Sequence, residues 1–387
     1  MKRLLGSALG VVLATLLSAA GLRAEILAMV NYESKSPNLG GPKERREGLM
    51  VLDVDPGSPT FGKILMDIPL PPDFHSHHIF YDKTMTKAYV TAFGKDVLHV
   101  MDMRRFPYRL KKIDVSGCEI GEDVVFSDDN KTWYLTCMGS RNVVVGDVAA
   151  DKVKGEIPLP KTYPHGIAVH NGIDRMLVTS TVRHTDLKDA GETLAVIQAS
   201  TSKVLTPLKV SRKPSPSREA PVEVLFRPGS NPPVAFTTNM YGASLWAATW
   251  NPAKKGFVVK EAFDFAKIAA GVPLELYFNN RRDRLYVTTA KPGQFHIFDV
   301  SQDPASPKFL KTLPAAEGAH HVAFTKDERY AFVQNSLLNL PGLSDGSITV
   351  VDLQKEEVVT TVDTLKNMGL NPNCIVLLPE WNHLAGH

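Results

Sequence analysis

Cysteine is nearly absent from this chain, at 3 of 387 residues. Disulfides therefore cannot carry the fold, and the core must come from packing. Excess charge of either sign is also missing. With 44 Lys+Arg against 41 Asp+Glu the net charge is +3, which gives no reason to expect nucleic acid as a partner. After the N-terminal segment no apolar run is long enough to span a bilayer. There is no P-loop, no G-x-G-x-x-G following a strand and no G-x-S-x-G elbow. Helical periodicity is scarce, appearing briefly around residues 262–270. What is present excludes disorder: 43% of residues are apolar and only 22% charged. At roughly 150 residues per domain the length alone suggests two or three domains. The internal repeats decide otherwise.

The first residues read as an address. Lys2 and Arg3 precede an uncharged, mostly apolar run from Leu4 to Leu17. Ser18-Ala19-Ala20 and Leu22-Arg23-Ala24 then offer small residues for cleavage. This is the three-part pattern of a secretory signal peptide. A spanning anchor wants ~20 apolar residues, and Arg23 interrupts this run early. Residues 1–24 are expected to be a signal peptide. The mature chain, 25–387, is expected to be periplasmic, with no membrane insertion after cleavage.

The remainder repeats. Seven segments place one or two polar, site-like residues before a β-branched or apolar strand: His77-His78, Glu122-Asp123, His165-Gly166, Val222-Glu223, Leu274-Glu275, His320-His321 and Asn373-Cys374. Successive second residues lie 43 to 57 positions apart. After each comes a polar turn, such as Ser127 to Asn130, then a second strand, such as Thr132 to Thr136. A third strand ends near an aspartate, as at Asp102, Asp147, Asp299 and Asp352, and a more polar fourth follows. Short alternating runs between turn residues are antiparallel strands. Four such strands every ~40–50 residues mark a β-propeller blade. Six blades fill residues 78 to about 362. Residues 26–31, 49–54 and 63–69 supply three strands of a seventh, and 373–378 supply the fourth. The expected fold is all-β: one seven-bladed propeller over 25–387, closed by the C-terminal strand joining the N-terminal three.

In such a ring the start of each innermost strand lies at one mouth of the central channel. Residues as distant as His77 and Cys374 therefore converge. Imidazoles bind copper, zinc and iron, and carboxylates complete the ligand set or orient the rings. The expected metal ligands are His77, His78, His165, His320 and His321, with Glu122, Glu223 and Glu275 as catalytic groups. Scattered polar residues are normal in a wet channel. Histidines from three blades at one repeated position are not. Histidine with a nearby thiol or thioether suits copper, as Cys374 and Met138 would supply; zinc or iron remain open. His99 and His296, inside third strands, read as packing or surface residues. His170 falls in a turn, His184 in a long polar insertion, and His383 and His387 in the tail. Cys118 and Cys137 could be a disulfide or two free thiols.

Several runs carry a family resemblance. Asp53-Val54-Asp55-Pro56-Gly57-Ser58-Pro59, followed by Ile68-Pro69-Leu70-Pro71 and His77-His78, resembles an early run of the selenium-binding protein/methanethiol oxidase family. Gly41-Pro42-Lys43-Glu44, Pro221 to Phe226, Phe298 to Pro304, Gly346-Ser347-Ile348 and Leu370 to Asn373 resemble further segments of it. The resemblance implies a seven-bladed propeller and a copper-dependent oxidation of methanethiol to formaldehyde, hydrogen sulfide and hydrogen peroxide. It places His77 and His78 at the metal, with Glu223 on the same rim. The family's cysteine segment after the double histidine is replaced here by Ile79-Phe80-Tyr81-Asp82, so selenium binding does not carry over.

The leading expectation is thus a periplasmic, metal-dependent oxidase of a small thiol. The alternative is a non-catalytic propeller of the YVTN type that binds a metal, a cofactor or a periplasmic protein partner. A calcium-dependent lyase or lactonase would need an oxygen-rich site, against which the histidines argue. Removing Lys2, Arg3 and Arg23 with the signal leaves 41 basic against 41 acidic residues. The mature chain is formally neutral, with its distinctive charge in one histidine–carboxylate ring.

Overall fold

The computed structural model describes residues 25–386. The expected signal peptide, 1–24, and His387 lie outside them. Seven antiparallel sheets form the blades of a ring. Blade 1 runs Ser76–Tyr81, Lys87–Ala92, Val97–Asp102 and Leu110–Asp114, and blades 2 to 6 repeat the order. In blade 3 the outer strand is broken into Lys203–Val204 and Leu208–Lys209, both pairing with Thr193–Gln198. Outer strands alternate exposed and half-buried residues, as in Glu357–Val362, whereas inner strands are buried throughout, as in Ala319–Phe324. That difference is why inner strands read as apolar runs and outer strands as polar ones.

Blade 7 closes the ring. Leu370–Leu377 pairs with Leu27–Ser34, which pairs with Glu47–Asp53 and then Ile64–Leu70. Closure leaves no blade unpartnered at a seam where an exposed edge would invite aggregation. The helical patch expected near 262–270 is the end of strand Gly256–Asp264 and one 3-10 turn, Phe265–Ile268, whose first turn Asp264 caps. No helix among the described residues is long and apolar enough to cross a membrane.

The core is distributed. Seven hydrophobic clusters lie between neighbouring blades, one at each seam. Trp133, Phe236, Phe298 and Phe332 are fully buried in these seams. At about 1.5–3 kcal/mol for each large apolar side chain buried, cohesion is spread around the ring. Of the two states left open for Cys118 and Cys137, the structure has the disulfide, with Cα atoms 5.1 Å apart.

One local device positions the site. In every innermost strand the pairing register slips by one residue at the repeated pair. Ser76 faces Ala92 and Ile79 faces Val90, so His77 and His78 together oppose Thr91. The same two-against-one bulge sets Glu122-Asp123 against Thr136, His165-Gly166 against Thr179, and Val222-Glu223 against Thr238. It sets Leu274-Glu275 against Thr288, His320-His321 against Gln334, and Asn373-Cys374 against Asn31. A regular strand would send adjacent side chains to opposite faces. The bulge re-aims them.

The bulge breaks ladder hydrogen bonds, and the opposing side chain repairs them. Thr91, Thr136, Thr238 and Thr288 accept from the N–H groups of His78, Asp123, Glu223 and Glu275. Several also reach forward to the next blade. Thr136 donates to the His165 carbonyl, Thr179 to Val222 and Thr238 to Leu274. Gln334 donates to Asn373 and Asn31 to His77. A small polar side chain thus latches each bulge of this set to its neighbour.

Candidate metal centre

The bulges stack the repeated residues in two layers across the channel. First members of the pairs (His77, Glu122, His165, Val222, Leu274 and His320) line a chamber open at one mouth. Among the second members, Asp123 and Glu223 line a cavity on the far side. All nine predicted or neighbouring polar residues, five histidines and four carboxylates, are buried.

The rings are in contact. His77 stacks on His78 with centroids 3.7 Å apart, and on Phe93 at 3.9 Å. His320 lies against His321 at 4.0 Å, and His78 meets His321 edge-on at 4.4 Å. Three of the four carboxylates serve an imidazole. Glu122 Oε2 is 2.9 Å from His77 Nε2 and 3.6 Å from His165 Nε2. Glu275 lies 3.2 Å from His320 Nε2 and 3.7 Å from His321 Nδ1. Asp123 Oδ1 is 2.8 Å from His78 Nδ1. Asp123 was not among the expected site residues. His78 also lies edge-on to His320, with ring centroids 6.3 Å apart.

Three sets of buried donors each have ligand atoms within 4.8 Å of one another: His77/Glu122/His165, His78/His320/His321 and Asp123/His165/Glu223. The first two share no residue. Every expected ligand falls in one of them. Of the three expected catalytic carboxylates, Glu122 and Glu223 do so, while Glu275 pairs with two of the histidines. Gly166 makes the approach of blade 4 feasible, because a Cβ there would lie 2.2 Å from Glu223 Oε1 and 2.5 Å from the Val222 carbonyl oxygen.

Electrostatically the centre is under tension. Burial, reinforced by His165 and His320, holds the His77 imidazole well below its ordinary range and so neutral. Burial raises the Glu122 carboxyl from 4.5 to about 8, with His165 opposing and Asp123 adding to the shift. Burial also pushes Glu223 well above the usual carboxylate range, as do the neighbouring Asp123 and Glu275. His77 Nε2 and Glu122 Oε2 approach to 2.9 Å, yet neither atom makes a hydrogen bond among the described residues. His77 Nδ1, His165 Nδ1, His320 Nδ1 and Glu223 Oε1 have no hydrogen-bond partner among the described residues. Buried polar atoms left so are costly, about 1–3 kcal/mol each. A cation resolves several of these costs at once, and an imidazole–carboxylate donor set fits zinc, iron or copper better than calcium.

Other residues fall away from the centre. Cys374 is buried, its Sγ directed to the Ile79 carbonyl at 3.9 Å. Burial pushes its thiol up, and it joins none of the donor sets found among the described residues. Met138 lines the chamber wall. His99 packs on Phe74 at 4.5 Å, and His296 is held between Thr289 and Thr312, so both are packing residues. His170 is at the start of a 3-10 turn. His184 lines the chamber with Val182 and Leu187, so this insertion is not wholly polar. The tail crosses the far mouth of the channel. Tyr81 and Gly386 exchange backbone hydrogen bonds, and His383 Nε2 lies 2.8 Å from Glu328. Sequence reasoning missed the chamber walls and the latch threonines. The threonine recurring 13 to 15 residues after five of the seven pairs was the available signal for the latter.

A scan against known protein families found no match, and a search of curated proteins found none. Solved structures do match in shape. A hypothetical selenium-binding protein from Sulfolobus tokodaii superposes with a TM-score of 0.73 at 13% identity, over 93% of this chain and 94% of that one. A candidate 6-phosphogluconolactonase from Bacteroides fragilis gives 0.61 at 12% identity, over 92% and 98%. Hydrazine synthase from Kuenenia stuttgartiensis gives 0.58 at 13%, over 80% and 91%. At these identities the likeness shows the propeller fold and leaves function to the site.

Proposed function

We propose that this chain is an exported, metal-dependent oxidase of a small thiol, holding copper among its channel histidines. The observation that carries the reading is the two-layer ring of five buried histidines and four carboxylates beneath an open chamber. The shape of the selenium-binding protein neighbour is consistent with it, and so is the resemblance of the early double-histidine run. Export is supported by the N-terminal segment and by the Cys118–Cys137 disulfide, a bond that persists in oxidising compartments.

His77, His165 and Glu122 would hold a metal facing the chamber, and His78, His320 and His321 would hold one in the deeper layer. Copper, when bound, would coordinate the substrate sulfur, favour its thiolate form and carry electrons to dioxygen. The remaining work belongs to the chain. Asp123 and Glu275 orient the imidazoles of the deeper layer. Glu122, 2.9 Å from His77 Nε2 and 3.6 Å from His165 Nε2, would bind the metal facing the chamber and hold the two imidazoles toward it. Phe93 packs against the His77 ring at 3.9 Å and helps fix its orientation. For methanethiol, the simplest such substrate, one molecule each of thiol, dioxygen and water gives formaldehyde, hydrogen sulfide and hydrogen peroxide. Carbon loses two electrons and dioxygen gains two.

The test is oxygen uptake with methanethiol by protein of known metal content. Uptake that chelation abolishes and copper restores supports the reading. A folded, copper-loaded protein that consumes neither methanethiol nor oxygen overturns it. Copper held tightly without turnover would favour the binding-protein alternative.

A further inference from the structure

The chamber above the metal ligands is built for more than a two-atom substrate. Its volume is about 350 Å³. A cavity of ~150 Å³ accepts benzene, so this one has room for about a dozen heavy atoms. Its walls are largely apolar: Phe93, Met138, Val182, Leu187, Met240 and Leu340 come from five separate connections within the blades. Of the three polar wall groups, Tyr241 and Thr181 are engaged in hydrogen bonds, and the third, His184, has its Nε2 3.8 Å from Glu119. The Tyr241 hydroxyl donates to the Leu187 carbonyl at 2.7 Å, and the Thr181 hydroxyl donates to the Pro221 carbonyl. Among the described residues no lysine or arginine lines the chamber. A sugar or phosphate ester would therefore bring hydroxyls and charge to walls that cannot answer them. Apart from His184 on one wall, the polar groups left to face a ligand are in the floor: His77, Glu122, His165 and His320.

We propose that the chamber binds an uncharged thiol or thioether carrying an apolar chain of about six to ten carbons, sulfur toward the floor and chain along the walls. The choice of a sulfur head rests on the oxidase reading above. The choice of an apolar body rests on the walls alone. The two parts are separable by experiment.

Calorimetric titration of chelator-stripped protein with straight-chain 1-alkanols and alkanethiols from one to ten carbons reads the walls without the metal. Affinity is expected to rise about fourfold per methylene, then level near the length that fills the chamber. Met240→Trp, which fills part of the chamber, is expected to move that plateau to shorter chains, with metal content unchanged. If Met240→Trp fails to fold, Leu340→Trp on another loop carries the same expectation. Repeating the series on metal-loaded protein reads the head group, where thiols are expected to exceed alkanols of equal length. Affinity that ignores chain length in both metal states overturns the proposal, even if the protein oxidises methanethiol. Chain-length dependence without thiol preference in the metal-loaded protein upholds the apolar chamber and overturns the sulfur head.

Discussion

The proton on the buried Glu122 carboxyl makes metal binding depend on pH in a calculable way. Burial keeps His77 neutral and raises Glu122 to about 8, so below that pH the metal-free pair holds one proton. A cation ligated by both must displace it. The apparent affinity should therefore approach a tenfold fall per pH unit below 8, about 50-fold from pH 8 to pH 6, and level above. Stability of the metal-free protein runs the other way. A carboxyl whose folded value lies above its ordinary 4.5 contributes stability fully present below that value. The contribution is lost as pH rises through about 8. The assay is competition for Zn²⁺ against a chelator at pH 6, 7 and 8, paired with thermal unfolding of the metal-free form. Glu122→Gln keeps the shape but cannot ionise, so it should bind more weakly at pH 8 and lose this part of the slope. A wild-type affinity flat between pH 6 and 8, or an unchanged slope in Glu122→Gln, would refute the reasoning.

Three further outcomes are expected. Asp123→Asn removes the anion that orients His78 and should weaken metal binding 10- to 100-fold at unchanged secondary structure, read by the same competition assay. Thr136→Val strands the Asp123 N–H and the His165 carbonyl together, and should cost about 2–5 kcal/mol in denaturant unfolding. Replacing Cys118 and Cys137 by alanine opens a loop spanning 19 residues and should cost about 3 kcal/mol, with no loss of bound metal.

The blades were legible because each contributes the same alternation of strands and turns, and because the pairs recur once per blade. Ring closure followed from counting strands left over at both ends. The layering was not legible. Alternation predicts that His77 and His78 face opposite ways, and only the pairing slip against Thr91 shows otherwise. Asp123 was visible as a ring residue, but its bond to His78 depends on how blades 1 and 2 are rotated. The chamber walls come from connections such as Leu337 to Leu343, which have no periodicity to read. The disulfide was undecidable from sequence because the separation of Cys118 from Cys137 in space depends on the pairing of blade 2.

The central claim is that the channel histidines hold a transition metal. Its most direct test is elemental analysis of the gel-filtered protein after exposure to copper and removal of loose metal. Wild-type protein should retain at least one ion per chain, and a His77→Ala/His321→Ala variant with native circular dichroism should retain none. A fully folded wild-type protein that emerges without copper, zinc or iron, or a double variant that retains the full complement, would contradict the account.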